Sequence, residues 1–265
     1  MGVKPLLRWA GSKRRLLPAL VCRAPSKFNR YYEPFVGSAC LFLELSPKRA
    51  VLGDMNIGLM ETYRMIRSRP CQVSALLQAM PINEQYYYYI RDVAPNILTA
   101  TQRAARFIYL NRYCFNGVYR ENRQGKFNVP RGVKTGNLPN LDEIQLFRNA
   151  LKAVDLRTGD FVDCIKDAGK NDFIYLDPPY AVAGARYSGE YGYGGFNSND
   201  LDRLIESLRL ADTKGTNILL SYTDSEYLQK AFPKWQIDKI SVNRSVSGFS
   251  KNRGVVSEVL IRNYR

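Results

Sequence analysis

Two apolar rhythms alternate along this chain. Short runs rich in apolar and β-branched residues recur at 30–33, 50–53, 153–156, 173–176, 217–222, 235–242 and 255–261, and these predict strands. From Ile57 to about Ala150 the rhythm is helical instead. Met60, Tyr63, Met65 and Ile66, then 73–80, 86–93 and 104–110, keep three- and four-residue spacing. A helix is also predicted over 40–45, and Ser12 is placed to cap one running to about Val21. The tetrad Tyr86-Tyr87-Tyr88-Tyr89 reads as helix packing, because consecutive residues point around a helix. The pattern predicts an α/β fold in two parts: a sheet-bearing domain over 1–56 and 151–265, and a helical insertion over 57–150. At 265 residues the chain is long enough for one large domain plus an insertion, and 45% hydrophobic content argues against disorder.

The chemistry gathers where strands end. The run 173–176 delivers Asp177-Pro178-Pro179-Tyr180 at its carboxyl end. Two prolines supply no backbone N–H, so strand pairing stops there. What emerges is a carboxylate, a rigid rim of carbonyls and an aromatic ring. Such a rim suits an amine on a flat heterocycle: Asp177 and the Pro178 carbonyl each accept one N–H, and Tyr180 stacks on the ring. Accepting both hydrogens localises the nitrogen lone pair and aims it at an electrophile. On these four residues alone, a strand followed by a proline-stiffened turn explains them equally well. Two other strand ends read as parts of a nucleoside site. Tyr31 to Ala39 holds a strand end and a tight turn at Gly37, and Val51-Leu52-Gly53-Asp54 ends a second strand in an acid. In doubly wound sheets the glycine admits the ligand to the backbone and the acid accepts from ribose hydroxyls. The three spaced glycines of a dinucleotide site are absent, which favours a mononucleoside cofactor over NAD.

With these segments the chain resembles the Dam-type DNA adenine methyltransferases (D12 class, alpha group). The matches run nearly end to end and in order: Arg8-Trp9-Ala10-Gly11-Ser12-Lys13, Glu33-Pro34-Phe35-Val36-Gly37, Gly53-Asp54-Met55-Asn56, Tyr109 to Gly117, Gly125 to Pro130, and Asp177 to Tyr180. The resemblance implies a Rossmann-like methyltransferase sheet with an inserted helical DNA-recognition domain carrying a basic hairpin. It implies S-adenosylmethionine as cofactor, S-adenosylhomocysteine as product, and Trp9, Lys13, Phe35, Gly37, Asp54 and Asp177 as cofactor-binding residues. Asp177, Pro178 and Tyr180 become the target-amine site. Arg8 and Arg120 become guanine readers, Val118 and Pro130 neighbours of the thymine methyl, and Phe115 and Asn116 the residues that enter the duplex at a flipped base. The implied target is GATC. Three positions depart from the family pattern. The family's second glycine is Ala39 here; at a position needing φ > 0, alanine costs stability and brings a methyl toward the methionine end of the cofactor, and the expectation is that the fold tolerates it. Arg131 and Val133 leave flanking preference open.

Charge points to the same partner. Lys+Arg 39 against Asp+Glu 24 gives a net +15 with no histidine, a surplus suited to neutralising the phosphates of double-stranded DNA. Eight basic residues fall between Thr99 and Asn137 (Arg103, Arg106, Arg112, Arg120, Arg123, Lys126, Arg131 and Lys134), with Glu121 the only acid, and they predict a DNA-facing surface. Asn116-Gly117 and Gln124-Gly125 punctuate an arginine-bearing loop or hairpin of a kind that enters the major groove. The alternative is that Arg120 and Arg123 hold phosphate only. The Gly- and Tyr-rich segment 184–195 reads as a lid, and Arg244, with Lys251 and Arg253 after it, as a phosphate-binding loop or a plain solvent loop. Absent histidine excludes histidine acid–base chemistry. Cys22, Cys40, Cys71, Cys114 and Cys164 form no CxxC pair, so the expectation is reduced thiols in a cytoplasmic, nucleoid-associated protein without zinc. No apolar run approaches bilayer length, and Pro18 and Arg23 break the one stretch that mimics a signal peptide. One flipped base per event is compatible with a monomer. Pro70-Cys71-Gln72 mimics a cytosine-methylating nucleophile but opens a helical pattern, so Pro70 reads as a first-turn residue. Two other functions stay open at this level: a catalytically silent DNA-binding protein on the same fold, and an aminomethyltransferase acting on cytosine N4, RNA or glutamine.

Overall fold

The computed structural model describes residues 2–122, 124–133, 135–180, 196–243 and 255–265, the side chains of 241–243 and 255–257 excepted. Its sheet has seven strands: β1 (Tyr31–Glu33), β2 (Ala50–Asp54), β3 (Val154–Thr158), β4 (Phe173–Leu176), β5 (Asn217–Thr223), β6 (Gln236–Asn243) and β7 (Val255–Arg262). Every strand expected from the apolar runs is present. Their order is β3-β2-β1-β4-β5-β7-β6. The first five pair in parallel, and β7 runs antiparallel to both β5 and β6. β1 and β4 are buried at every residue, as central strands between two helical layers must be. Between them the winding direction reverses, which opens a crevice at their carboxyl ends. This is the expected Rossmann-like α/β sheet.

The insertion is built from α3 (Ile57–Ser68), α4 (Pro70–Gln78), α5 (Glu84–Asp92), α6 (Ala100–Tyr113) and α7 (Leu141–Ala150). Capping boxes start two of them, Thr99 with Gln102 at α6 and Asn140 with Glu143 at α7. Met60, Tyr63, Val73, Leu77, Ile108 and Phe147 are buried in one hydrophobic cluster that continues onto a face of the sheet through Tyr31, Leu52 and Phe173. Arg64 and Arg67 tie α3 to the edge strand by donating to the carbonyls of Leu156 (3.1 Å) and Val154 (2.7 Å). The helical insertion is therefore bolted to the sheet by packing and by backbone contacts. Pro70 is a first-turn residue of α4, as its sequence context predicts, and Cys71 is exposed in that turn. The tyrosine tetrad fans around α5, with Tyr87 in the core and Tyr89 facing solvent.

One expectation is corrected. Ser12 caps no helix: residues 13–16 form a 3₁₀ turn, and α1 (Leu17–Arg23) starts later, with Pro18 in its first turn. The Ser12 hydroxyl is engaged elsewhere, accepting from Ser38 Oγ (3.2 Å) and lying 3.1 Å from Cys40 Sγ. Ala39 is the residue before α2 (Cys40–Leu45) and does adopt the left-handed conformation, with φ 58° and ψ 31°. Yet its methyl is fully buried in the core, and Ala39 does not line the cavity of the crevice, so it crowds nothing there. Left-handed backbone costs an alanine about 1–2 kcal/mol. Against that stand about 0.8 kcal/mol for the buried methyl and about 0.4–1 kcal/mol of chain entropy that glycine would add to the unfolded state. These terms nearly cancel, so Ala39→Gly is expected to shift stability by less than about 1 kcal/mol in denaturant unfolding; a larger gain would show that strain dominates.

Candidate active site

Three strand-end acids converge on the crevice: Glu33 as the last residue of β1, Asp54 as the last of β2 and Asp177 just after β4. They help to line a cavity of about 520 Å³. Asp54 is held in place by two backbone N–H groups, from Gly37 (3.1 Å) and Asn56 (2.9 Å). Burial pushes its carboxyl up to about 6, and those two bonds oppose the rise. Gly37 has φ 44°, and a Cβ there would lie 2.7 Å from the Trp9 ring, so only glycine fits the turn. Tyr63 donates to the Gly37 carbonyl at 2.5 Å and fixes the turn from α3. Trp9 in turn stacks with Phe107 and Tyr119, at centroid distances of 6.4 and 6.2 Å. The Gly37 turn and the helical insertion therefore share one aromatic stack.

Asp177 sits at the far wall. Its Oδ1 faces Lys13 Nζ at 3.0 Å and accepts from Ser221 Oγ at 3.0 Å. Burial raises its pKa, with Lys13 and Ser221 pulling the other way. Burial also lowers that of Lys13, but Asp177, Tyr180 and Glu258 together more than offset this and the net shift is upward. Lys13 donates to Tyr180 Oη (3.2 Å), and that hydroxyl donates to Glu258 Oε1 (3.2 Å). The Tyr180 ring stands edge-on to Tyr222, 5.2 Å between centroids. Glu33 is buried, accepts from Tyr31 Oη at 2.9 Å and has its carboxyl pushed up to about 8 by burial. It is the neutral acid of the group at pH 7.

Trp9, Lys13, Phe35, Gly37, Asp54 and Asp177 all line this one cavity. Sequence reasoning missed others. Ser221 and Glu258 face Asp177 and Tyr180 from β5 and β7. Asp160, Phe161, Phe196 and Arg203 close the cavity on the β3 side, where Arg203 pairs with Asp160 (2.8 Å) and lies over the Phe161 ring (5.2 Å). A signal for that group exists: Gly159-Asp160 comes directly after β3, where Gly53-Asp54 forms the end of β2.

The sequence model of the D12 class N6 adenine-specific DNA methyltransferases matches residues 9–246. The chain belongs to this family. It is similar to the Type II methyltransferase M1.LlaDCHI of Lactococcus lactis subsp. cremoris, 32% identical over 274 residues that cover 100% of this chain and 96% of that one. It is 31% identical to the Type II methyltransferase M.MjaIII of Methanocaldococcus jannaschii, with both chains covered in full (100% each). A DNA adenine methylase of Haemophilus influenzae is 30% identical, with 97% and 92% covered. The protein is thus an adenine-specific DNA methyltransferase of the D12 class, and its substrate is DNA.

The D12 enzyme carries its loop from the insertion over residues 114–131. Antiparallel bridges Cys114↔Arg131 and Glu121↔Phe127 close it into a hairpin. Phe115 is 45% exposed, and Asn116 beside it is exposed in a left-handed turn of φ 53°. Arg120 and Pro130 are exposed and Val118 half-buried. Arg8 is brought to this loop from the N-terminal segment. Asn111 clamps its backbone with bonds of 2.8 and 2.5 Å, and a Cβ at Gly117 would meet Arg8 Cβ at 2.5 Å. The expected DNA-facing arginines need correction. Arg103 pairs with Glu61 through two bonds, Arg106 is buried against the carbonyls of Ile90 and Arg91, and Arg112 donates to Leu6. These three α6 side chains fasten the insertion, because a helix packed between neighbours spends its guanidiniums on orphan carbonyls. Arg123, Lys134, Arg244 and the segment 184–195 lie outside the described residues. Among the described residues no helix is long and apolar enough to cross a membrane, and no His, Cys, Asp and Glu group is arranged to hold a metal.

Proposed function

We propose that this enzyme transfers a methyl group from S-adenosylmethionine to adenine N6 at GATC in double-stranded DNA, acting as a cytoplasmic monomer on an extruded base. The observation that carries the reading is Asp177, set between Lys13 and Ser221 at the wall of the cavity that Asp54 and Gly37 also line. The lining fits the cofactor. Among its acids, Asp54, Asp160 and Asp177 suit a cationic ligand, and Trp9, Phe35, Phe161 and Phe196 suit a flat heterocycle. Bound there, S-adenosylmethionine supplies a methyl group on a sulfonium, already a good leaving group.

The rest falls to the protein. Adenine must leave the stack, since its amine cannot reach the crevice from inside a duplex. Asp177 and the Pro178 carbonyl accept the two amine hydrogens, and Tyr180 holds the ring face. Positioning supplies most of the acceleration. Once methylated, the amine becomes acidic and gives its proton to the Asp177 carboxylate or to water. Asp54 accepts from the ribose hydroxyls, which requires its ionised form. Its carboxyl titrates near 6, so cofactor affinity is expected to hold above pH 7 and to fall about tenfold per pH unit below 6. Calorimetric titration with S-adenosylhomocysteine from pH 5 to 8 checks this, and Asp54→Asn should flatten the profile.

Base reading is assigned to the hairpin. Arg120 Nε donates to Asn128 Oδ1 at 2.9 Å, and among the described residues its two Nη groups have no protein partner. A guanidinium so braced suits the two acceptors of guanine. Arg120→Ala is expected to lose about 1–3 kcal/mol of discrimination at one base pair while phosphate-driven binding persists. Competition between matched and singly substituted duplexes measures it; unchanged discrimination defeats the assignment. The deciding experiment is methyl transfer from labelled cofactor to a GATC duplex and to one with that site scrambled. Transfer to the first alone supports the whole reading. Transfer to both keeps the enzyme and removes GATC.

A further inference from the structure

Lys13 has three N–H donors and three oxygens around it. Asp177 Oδ1 lies at 3.0 Å, Tyr180 Oη at 3.2 Å and Glu258 Oε2 at 3.6 Å. Because Lys13 donates to the phenolic oxygen, the phenolic proton is directed to Glu258 Oε1, 3.2 Å away. Glu258 comes from β7, the antiparallel strand, where it pairs with Thr223 at the carboxyl end of β5. It is only 3% exposed, a depth at which an acid persists only with partners.

An amine that binds Asp177 competes with Lys13 for the same carboxylate. A buried ammonium stripped of its single counter-ion resists that exchange. With a second carboxylate 3.6 Å away, a movement of about 1 Å brings Lys13 to full contact with Glu258 and keeps it paired. The same carboxylate fixes the hydroxyl, and so the ring plane, of Tyr180. We propose that Glu258 is a positioning residue for methyl transfer, one that orients Tyr180 and takes over Lys13 when the adenine amine occupies Asp177. The proposal rests on the reading of Asp177 as amine acceptor. It gives the antiparallel strand a part in the chemistry beyond covering the sheet edge.

The groups facing Asp177 are Lys13, Tyr180, Glu33 from β1, Tyr175 from β4, Ser221 from β5 and Glu258 from β7. Glu258→Gln keeps an acceptor for the Tyr180 hydroxyl and removes only the charge. Single-turnover transfer to duplex DNA is expected to fall at least about tenfold, with cofactor and DNA affinities within about threefold of the parent. The acid limb of its pH–rate profile should move to lower pH, because Asp177 loses a like-charged neighbour and keeps Lys13 undivided. A parental rate, or a slower rate with the limb unmoved, overturns the proposal. Where Glu258→Gln does not fold, Glu258→Asp carries the test: its charge stays but retreats by one methylene, so transfer should slow with the limb in place, and a parental rate again overturns it. Asp177→Ala separates the two ideas. Transfer surviving in that variant sinks the amine reading. An inert Asp177→Ala beside a Glu258→Gln of parental rate sinks the Glu258 proposal alone.

Discussion

Asp177→Ala is expected to lower single-turnover methyl transfer by about 1,000-fold or more while cofactor and DNA still bind. The size follows from the part proposed for the carboxylate: to accept one amine hydrogen, to hold the lone pair toward the methyl donor, and to take up, with water, the proton that the methylated amine sheds. Loss of orientation alone costs on the order of a hundredfold, and loss of a proton acceptor a comparable factor. Stability should change little by comparison. Truncating one partner of a buried pair is normally severe because the other charge is stranded. Lys13 is not stranded here, since Glu258 lies 3.6 Å from it. Burial also raises the pKa of Asp177, so the lost carboxylate was not a strong stabiliser of the fold. A melting temperature near the parent's, retained binding of S-adenosylhomocysteine and DNA, and no labelled methyl on the duplex form the expected triad. Activity within tenfold of the parent would remove Asp177 from the chemistry.

The sheet was legible because its strands are written as unbroken apolar runs, and burial on two faces demands that spelling. Phe173 to Leu176 and Tyr31 to Glu33 appear where the pattern places them. The acids at strand ends were legible for a related reason: Asp54 and Asp177 interrupt apolar runs at the point where the chain must turn. Glu258 and Ser221 were hidden by the same logic. Each stands inside a strand next to apolar residues, where a polar residue reads as the solvent-facing half of an alternation. Only the fold brings Glu258 to Lys13, across most of the chain's length. The arginines of α6 misled in the opposite sense. Their charge suggested a DNA surface, but Arg106 ends on the carbonyls of Ile90 and Arg91, a partnership that composition cannot reveal. Ser12 misled because a hydroxyl before a helical pattern is an ordinary cap signal; here Ser38 and Cys40 claim it from a distant turn.

Glu33→Gln should make the enzyme more stable, and increasingly so as pH rises. The Glu33 carboxyl is pushed up to about 8 from an ordinary 4.5, chiefly by burial, with the Tyr31 hydroxyl pulling down and the nearby Asp177 pushing up. The sign is set by which state holds the proton. Between those two values the native protein keeps a proton that the unfolded chain has released, so rising pH favours unfolding. Each pH unit in that window costs about 1.4 kcal/mol, or about 3 kcal/mol by pH 7, and the loss stops growing above about 8. Glutamine carries no such titration and still offers an oxygen to the Tyr31 hydroxyl. Its second N–H needs an acceptor, which adds a constant offset of about 1 kcal/mol without a slope. The slope is therefore the measurement. Denaturant unfolding of both proteins at pH 5, 6, 7 and 8, with matching m-values, should give a difference that widens by about 3 kcal/mol in favour of Glu33→Gln. The raised carboxyls of Asp54 and Asp177 titrate in both proteins and largely cancel from that difference. A difference that stays flat from pH 5 to 8 would mean that Glu33 is ionised in the fold, and the crevice would then carry one more negative charge toward its cofactor than the geometry gives it.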